Sequence, residues 1–189
     1  MADRSSIAPA VAALAGRRID AQDADDSRFP LAETEHVAHK LLRRFREERV
    51  ERLVCSAACG ADILALEVAE KLAIPATLVL PFASRIFREM SVTDRPGDWG
   101  ERFDHLVAAA RDHGDLVELG LDTGDKDAFA AANDRIIQEA STSGTYRRLA
   151  FVVWEGRSRG QDDSTADFLS KALSRGFEKR AVLTRRRER

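Results

Sequence analysis

The chain has 189 residues, about one domain at the usual ~150 per domain, and is long enough to bury a core without disulfide or metal staples. Thirty Lys and Arg against 32 Asp and Glu give a net charge of −2, without the basic excess of a nucleic-acid binder, and a chain 44% hydrophobic and 33% charged is not disordered. Two cysteines exclude a disulfide scaffold, no apolar run approaches the ~18 residues of a membrane span, and Met1–Ala10 lacks the apolar stretch of a secretion signal, so the expectation is one cytoplasmic domain over 1–189 with a core at 11–184 and a flexible tail at 185–189.

Aliphatic runs alternate with amphipathic segments, as in α/β folds with a parallel sheet. Val11–Gly16 is a short apolar run ending in glycine, and the acidic stretch from Asp20 to Arg28 reads as a loop. Pro30 suits the first turn of a helix over Leu31 to Glu48, with Val37, Leu41, Leu42 and Phe45 as its buried stripe. Val50–Ser56 is the next strand and Ala61–Ala73 the next helix, with Leu64, Val68 and Leu72 on one face. Ala76–Phe82 is a third strand. Asp98, after Pro96 and Gly97, is a candidate N-cap for a helix from Trp99 to His113. Leu116–Leu119 is a short strand and Gly120–Lys126 a turn-rich loop. A helix over Asp127–Ser141 should turn Phe129, Asn133, Ile136, Ile137 and Ala140 to the sheet. Leu149–Trp154 reads as a fully buried strand, Ser164–Arg175 as a helix and Ala181–Thr184 as a last strand. That makes six strands and five helices: a three-layer α/β/α fold with a mostly parallel sheet of about six strands.

In such a sheet ligands bind beyond the carboxyl ends of the strands, where the strand order reverses. The loop after Val50–Ser56 holds small residues and one glycine: Ser56, Ala57, Ala58, Cys59, Gly60, Ala61, Asp62. Its backbone could approach a ligand closely, and free N–H groups at the following helix start favour an anion. The same residues would also serve a tight strand–helix turn required by packing alone. The loop after Leu149–Trp154 carries Glu155, Gly156, Arg157–Gly160, Asp162, Asp163, Ser164 and Thr165. Ser164 and Thr165 could cap the helix or bind a phosphate, and the loop exceeds the ~2–6 residues of a minimal connection. Asn133, a polar group on an apolar stripe, either ties a neighbouring loop in place or reads a ligand edge. Phe82 after Pro81, and Trp154, could stack a flat ring or be core. Arg17, Arg28 and Arg85, in strand-following loops, could neutralise phosphate or be solvated.

Weaker signals lead elsewhere. Cys55 and Cys59 lack the further ligands of a zinc site, and His36 and His39 read as a solvated helix face. Ser56 lacks a nucleophile elbow. The four aspartates from Asp20 to Asp26 do not have the spacing of an EF-hand. No metal site follows.

The run Ser56–Leu64, then Val79-Leu80-Pro81-Phe82, then Phe87–Val92 resembles the SLOG superfamily of Rossmann-like domains. That superfamily joins DprA proteins, lysine-decarboxylase-like LOG proteins and molybdenum-cofactor-carrier-like (YpsA-like) proteins. The likeness extends to Ile19-Asp20, Arg28-Phe29-Pro30, Asp98-Trp99, Arg102-Phe103, Asn133, Trp154-Glu155-Gly156 and Thr165-Ala166-Asp167, about Val11 to Thr184. The branch it resembles is the bacterial one found beside nucleotide cyclase, TIR-like or repeat domains.

The resemblance implies a nucleotide or nucleotide-derived ligand, a sensor role without catalysis, and self-association into an oligomer. LOG relatives instead cleave a nucleoside monophosphate to base and ribose phosphate, using a Pro-Gly-Gly-x-Gly-Thr loop and a Glu. This chain has Gln161-Asp162-Asp163-Ser164-Thr165 there, and Gly16-Arg17 where the branch has Gly-His. The expectation is therefore a nucleotide-binding regulatory domain whose switch point lies between Val11–Ala15 and Leu149–Trp154. N–H groups at Gly60–Asp62 and Ser164–Thr165 would hold phosphate, Phe82 or Trp154 a base, Asn133 a ribose or base, and Arg17 or Arg28 the charge. The alternative is an N-glycoside hydrolase with Glu155 or Asp167 as its acid. Its partner would be a small nucleotide, not a membrane or nucleic acid.

Overall fold

The computed structural model describes residues 7–142, 144, 146–160 and 163–185. Asp162, and all of the expected flexible tail but Arg185, lie outside the described residues.

The central strand β1, Ala10–Gly16, contains only small and aliphatic residues because both its faces are covered. Its neighbours are β2 (Val50–Cys55) and β5 (Arg147–Trp154), both parallel to it. With β3 (Ala76–Leu80), β4 (Leu116–Glu118) and β6 (Glu178–Leu183), the sheet has the order β4-β3-β2-β1-β5-β6 and is parallel throughout. The chain builds outward from β1 to β4 and then returns to place β5 on the other side of β1. Strand order therefore reverses between β1 and β5, at the expected position.

Right-handed crossovers fix where the helices go. The outward connections put α1 (Thr34–Glu47), α2 (Ala61–Lys71), α3 (Ser84–Ser91) and α4 (Trp99–His113) on one face. The return puts α5 (Ala128–Ser141) and α6 (Ser164–Ser174) on the other. Alternation along the strands feeds both cores: Ala12, Leu14, Leu53, Leu80 and Phe151 face the first layer, and Val11, Ala13, Val54, Val79, Ala150 and Val152 the second. No helix among the described residues is long and apolar enough to cross a membrane.

Several elements depart from the sequence reading. Helix α3 was not expected. It has eight residues, and only Phe87 and Ser91 are buried, too short a stripe to show a period. Arg85 belongs to this helix rather than to a loop, and pairs with Glu89 at 3.5 Å on the surface. Helix α2 is buried nearly all round rather than on one face. Its Glu67 is covered by Arg102 of α4, which donates to both carboxylate oxygens at 2.6 and 2.7 Å and lies 4.1 Å from the Trp99 ring. Phe129 does not face the sheet; it is exposed and meets Phe82 edge-on. Asp98 precedes α4 without a side-chain cap bond, pairing instead with Arg102.

Candidate functional site

Beyond the carboxyl end of β1 the chain passes between β5 and the start of α2. Arg17 N–H donates to the Val153 carbonyl at 2.8 Å, and Ala61 N–H donates to the Arg17 carbonyl at 3.1 Å. Gly16 is required here, because a Cβ would lie 2.8 Å from Val153 and overlap Ala61. Gly60 is required too: its φ is +103°, and a Cβ would come within 2.9 Å of the Arg17 carbonyl oxygen and Ile19 nitrogen.

These contacts commit the loop after β2 to packing. Arg18 and Gly60 form an antiparallel bridge, and Cys59 N–H donates to the Ser91 carbonyl at 3.0 Å. Ala57, Cys59, Gly60, Ala61 and Asp62 are buried, and Ser56 is partly so. Both thiols are free, and burial raises the pKa of each. Asp62 has one hydrogen bond, accepted from Ala58 N–H at 3.2 Å, and its Oδ1 has no hydrogen-bond partner. Burial, only partly offset by that N–H, pushes its carboxyl up to about 7.

On the opposite side of β1 a buried ion cluster closes the β5–α6 loop. The Arg17 side chain, 4% exposed, donates from Nε to Glu155 Oε2 at 2.7 Å and from Nη2 to Oε1 at 3.1 Å. It donates to both Asp163 oxygens at 2.6 and 2.8 Å, and to the Arg157 carbonyl at 3.0 Å. Asp163 is also the N-cap of α6, accepting from Thr165 and Ala166 N–H at 3.1 Å each and from Arg159 N–H at 2.8 Å. Burial alone would raise its carboxyl, but Arg17 and these N–H groups hold it well below the usual carboxylate range. Asn133 Nδ2 donates to the Ser164 carbonyl at 3.0 Å, so the amide ties down the start of α6.

Between this cluster and the loop after β1 lies a cavity of about 530 Å³, within the ~300–1,000 Å³ usual for small-molecule sites. Gly16, Arg17, Arg28, Ser164 and Thr165 line it, joined by Arg18, Ile19, Asp20, Ala21, Ala24, Asp25, Asp26, Arg95 and Arg159. Five guanidiniums thus meet at the strand-order reversal. Arg17 is fully engaged. Arg18 pairs with Asp94 and donates to the Met90 carbonyl, and Arg95 pairs with the same Asp94 at 3.3 Å. Arg28 and Arg159 are different. Among the described residues they form only long ion pairs, with Asp26 at 3.6 Å and Asp163 at 3.8 Å, beyond hydrogen-bond reach. Burial lowers the Arg159 pKa, as do the charges of Arg17 and Arg28, against the pull of Asp163. The Nε atoms of Arg18, Arg28 and Arg95 are buried without a hydrogen-bond partner.

The acidic loop forming one wall is ordered by Asp20. Its carboxylate accepts from Ser27 Oγ and from Arg28 and Phe29 N–H, all at 3.0 Å, so this aspartate serves the turn.

The remaining sequence candidates lie outside the lining: Ser56, Ala57, Cys59, Gly60, Ala61, Asp62, Pro81, Phe82, Asn133, Trp154 and Gly156. Phe82 is 2% exposed. Trp154 is 7% exposed, with Lys179 Nζ 5.3 Å and Arg17 Cζ 5.9 Å from its ring. Glu155 is held by Arg17, and Asp167 pairs with Lys171 at 3.0 Å; neither lines the cavity. Sequence reasoning passed over Arg18, Arg95 and Arg159 as ligand contacts, although each follows a strand or sits in a loop at this edge.

No protein-family model and no curated protein sequence matches the chain. Its fold is similar to that of DNA processing protein A (DprA) from Streptococcus pneumoniae, solved by X-ray crystallography, with a TM-score of 0.51 and 17% sequence identity. The match covers 92% of this chain and 50% of that one, so this chain spans about half the length of the neighbour. The Rossmann-like architecture expected from the sequence is thus shared with a DprA structure.

Proposed function

We propose that the cavity at the β1–β5 reversal binds a phosphate-bearing small molecule of the nucleotide class, and that the chain is a SLOG-type regulatory domain of the branch it resembles, binding without catalysis. The observation that carries this reading is the pair Arg28 and Arg159, two cations facing one cavity with no carboxylate of the described residues within hydrogen-bond reach. Partly buried, mutually repelling guanidiniums gain most from an added anion. Binding without turnover agrees with the state of the two candidate acids, each already held by a cation.

The test is calorimetric titration of the full chain with AMP, with a parallel assay for free adenine. Binding is expected for the wild type, weakened about tenfold or more in Arg28→Ala and in Arg159→Ala, since each loses charge-assisted hydrogen bonds. Absence of AMP binding, or unchanged affinity in both variants, overturns the nucleotide reading. Release of adenine that depends on Glu155 or Asp167 overturns the non-catalytic one.

A further inference from the structure

We infer that the ligand is recognised as a singly phosphorylated sugar, through its phosphate and hydroxyls and not through any base it carries; this rests on the phosphate reading above and narrows it.

Charge limits the ligand first. Of the five lining guanidiniums, Arg17 is neutralised by Glu155 and Asp163, and Arg18 and Arg95 share Asp94. Among the described residues, only Arg28 and Arg159 of the five have no carboxylate within hydrogen-bond reach; Asp26 and Asp163 lie 3.6 and 3.8 Å from them. A phosphate monoester carries about −1.5 to −2 near pH 7 and matches these two cations. A diphosphate or triphosphate would set further negative charge beside Asp20, Asp25 and Asp26, which line the same cavity.

The second limit is spatial. In this fold a helix start beside the cavity is the natural seat for a phosphate. Here that seat at α6 is filled by the Asp163 carboxylate, which takes the Thr165 and Ala166 N–H groups and two Arg17 donors. The protein's own anion occupies the place of a second one.

The third limit is the lack of an aromatic stacking surface. The chain has nine Phe, two Trp and one Tyr, all among the described residues, and none lines the cavity. What the lining does offer is hydroxyl chemistry. Asp25 lines the cavity with no hydrogen bond or ion pair to another described residue, and the Ser164 and Thr165 hydroxyls are likewise uncommitted. A free carboxylate accepts hydrogen bonds from a sugar's hydroxyls and would repel a second phosphate.

The experiment is calorimetric titration of the full chain with inorganic phosphate, ribose 5-phosphate, AMP and ADP. Ribose 5-phosphate is expected to bind within about threefold of AMP and at least about tenfold more tightly than inorganic phosphate, with ADP no tighter than AMP. In Asp25→Asn, ribose 5-phosphate should weaken about tenfold while inorganic phosphate does not weaken. AMP binding about tenfold or more above ribose 5-phosphate would mean that the base is read; it overturns this inference and leaves the phosphate reading standing. Tighter binding of ADP than of AMP, or an Asp25→Asn variant that holds ribose 5-phosphate as well as the wild type, also overturns it. Failure of all four ligands to bind overturns the phosphate reading itself.

Discussion

Helices α2 and α6 both begin at the carboxyl edge of the sheet, and each has an aspartate at its start. The two carboxyls are pushed in opposite directions. Asp62, second residue of α2, has one N–H donor and no hydrogen-bond partner for its other oxygen, and burial pushes it up to about 7. Asp163, at the cap of α6, takes three backbone N–H groups and two guanidinium donors, and is held low despite burial. A helix dipole is worth only ~0.3–1 kcal/mol at an exposed end and up to ~2 in partly buried geometries. It does not by itself keep a buried carboxylate ionised; a cation and several aligned donors do. The same reasoning applies to a ligand. The start of α6 is built to hold an anion and already holds one, whereas the loop at Cys59–Asp62 has spent its Cys59 and Ala61 N–H groups on packing.

The strongest way to break this comparison is Asp163→Ala. It leaves Arg17 buried with only Glu155 as counter-charge, and removing one partner of a buried pair costs about 3 kcal/mol or more. For a chain of this length that is a fall of roughly 6–12 °C in Tm. Inorganic phosphate at millimolar concentration should restore part of the loss by occupying the vacated donors, and should do nothing comparable for Asp62→Ala. Equal phosphate responses in a thermal-shift assay would show that the two helix starts do not differ as anion seats.

The second prediction uses pH. Asp62 has a folded pKa of about 7, above its ordinary value of 3.8. The folded state therefore keeps a proton that the unfolded chain loses near pH 4, and this contribution to stability is full below pH 4, falls as pH rises from about 4 to 7, and is flat above. Asp163 has the opposite sign: its contribution is present above its ordinary value of 3.8 and is lost as pH falls toward its lower folded value. Asp62→Asn removes the first titration only. Relative to the wild type it should gain stability steadily between pH 4 and 7, reaching about 2–4 kcal/mol above pH 7, with little difference at pH 4. Urea unfolding at pH 4, 6 and 8 measures this; a constant offset across that range would place Asp62 in a solvated environment.

The contrast also marks what could be read from the sequence. Most of the sheet was legible because β1, β3 and the later parts of β2 and β5 are largely apolar runs that alternate with amphipathic segments. The first half of β6 was not, because Glu178, Lys179 and Arg180 lie on an edge strand that water still reaches. In the loop after β2, small residues signal close approach but not what approaches, and here it is the Arg17–Ile19 backbone. The ion cluster was hidden for another reason: Arg17 meets Glu155 and Asp163 across 138 and 146 residues of chain, and no local pattern records such a pairing. Arg28 and Arg159 could be noticed as loop arginines. That their ion pairs are long ones depends on distances to Asp26 and Asp163 that only the fold sets.

The smallest expected effect concerns how the start of α6 is held. Asn133 reaches from α5 to the Ser164 carbonyl at 3.0 Å and is 8% exposed, so Asn133→Ala removes one hydrogen bond and leaves that carbonyl without its side-chain donor. The cost is about 1 kcal/mol, within the usual range for a single buried bond. Its location is more telling than its size. The loss falls on the first turn of α6, so amide exchange should quicken at Thr165 and Ala166, whose N–H groups are held by Asp163, and stay unchanged at Ala61 in the start of α2. Asn133→Asp sharpens the point, because it sets a carboxylate against the Ser164 carbonyl and should destabilise more than alanine does. If exchange rises equally at both helix starts, Asn133 supports the core as a whole, and the two ends of the crevice are not independently built.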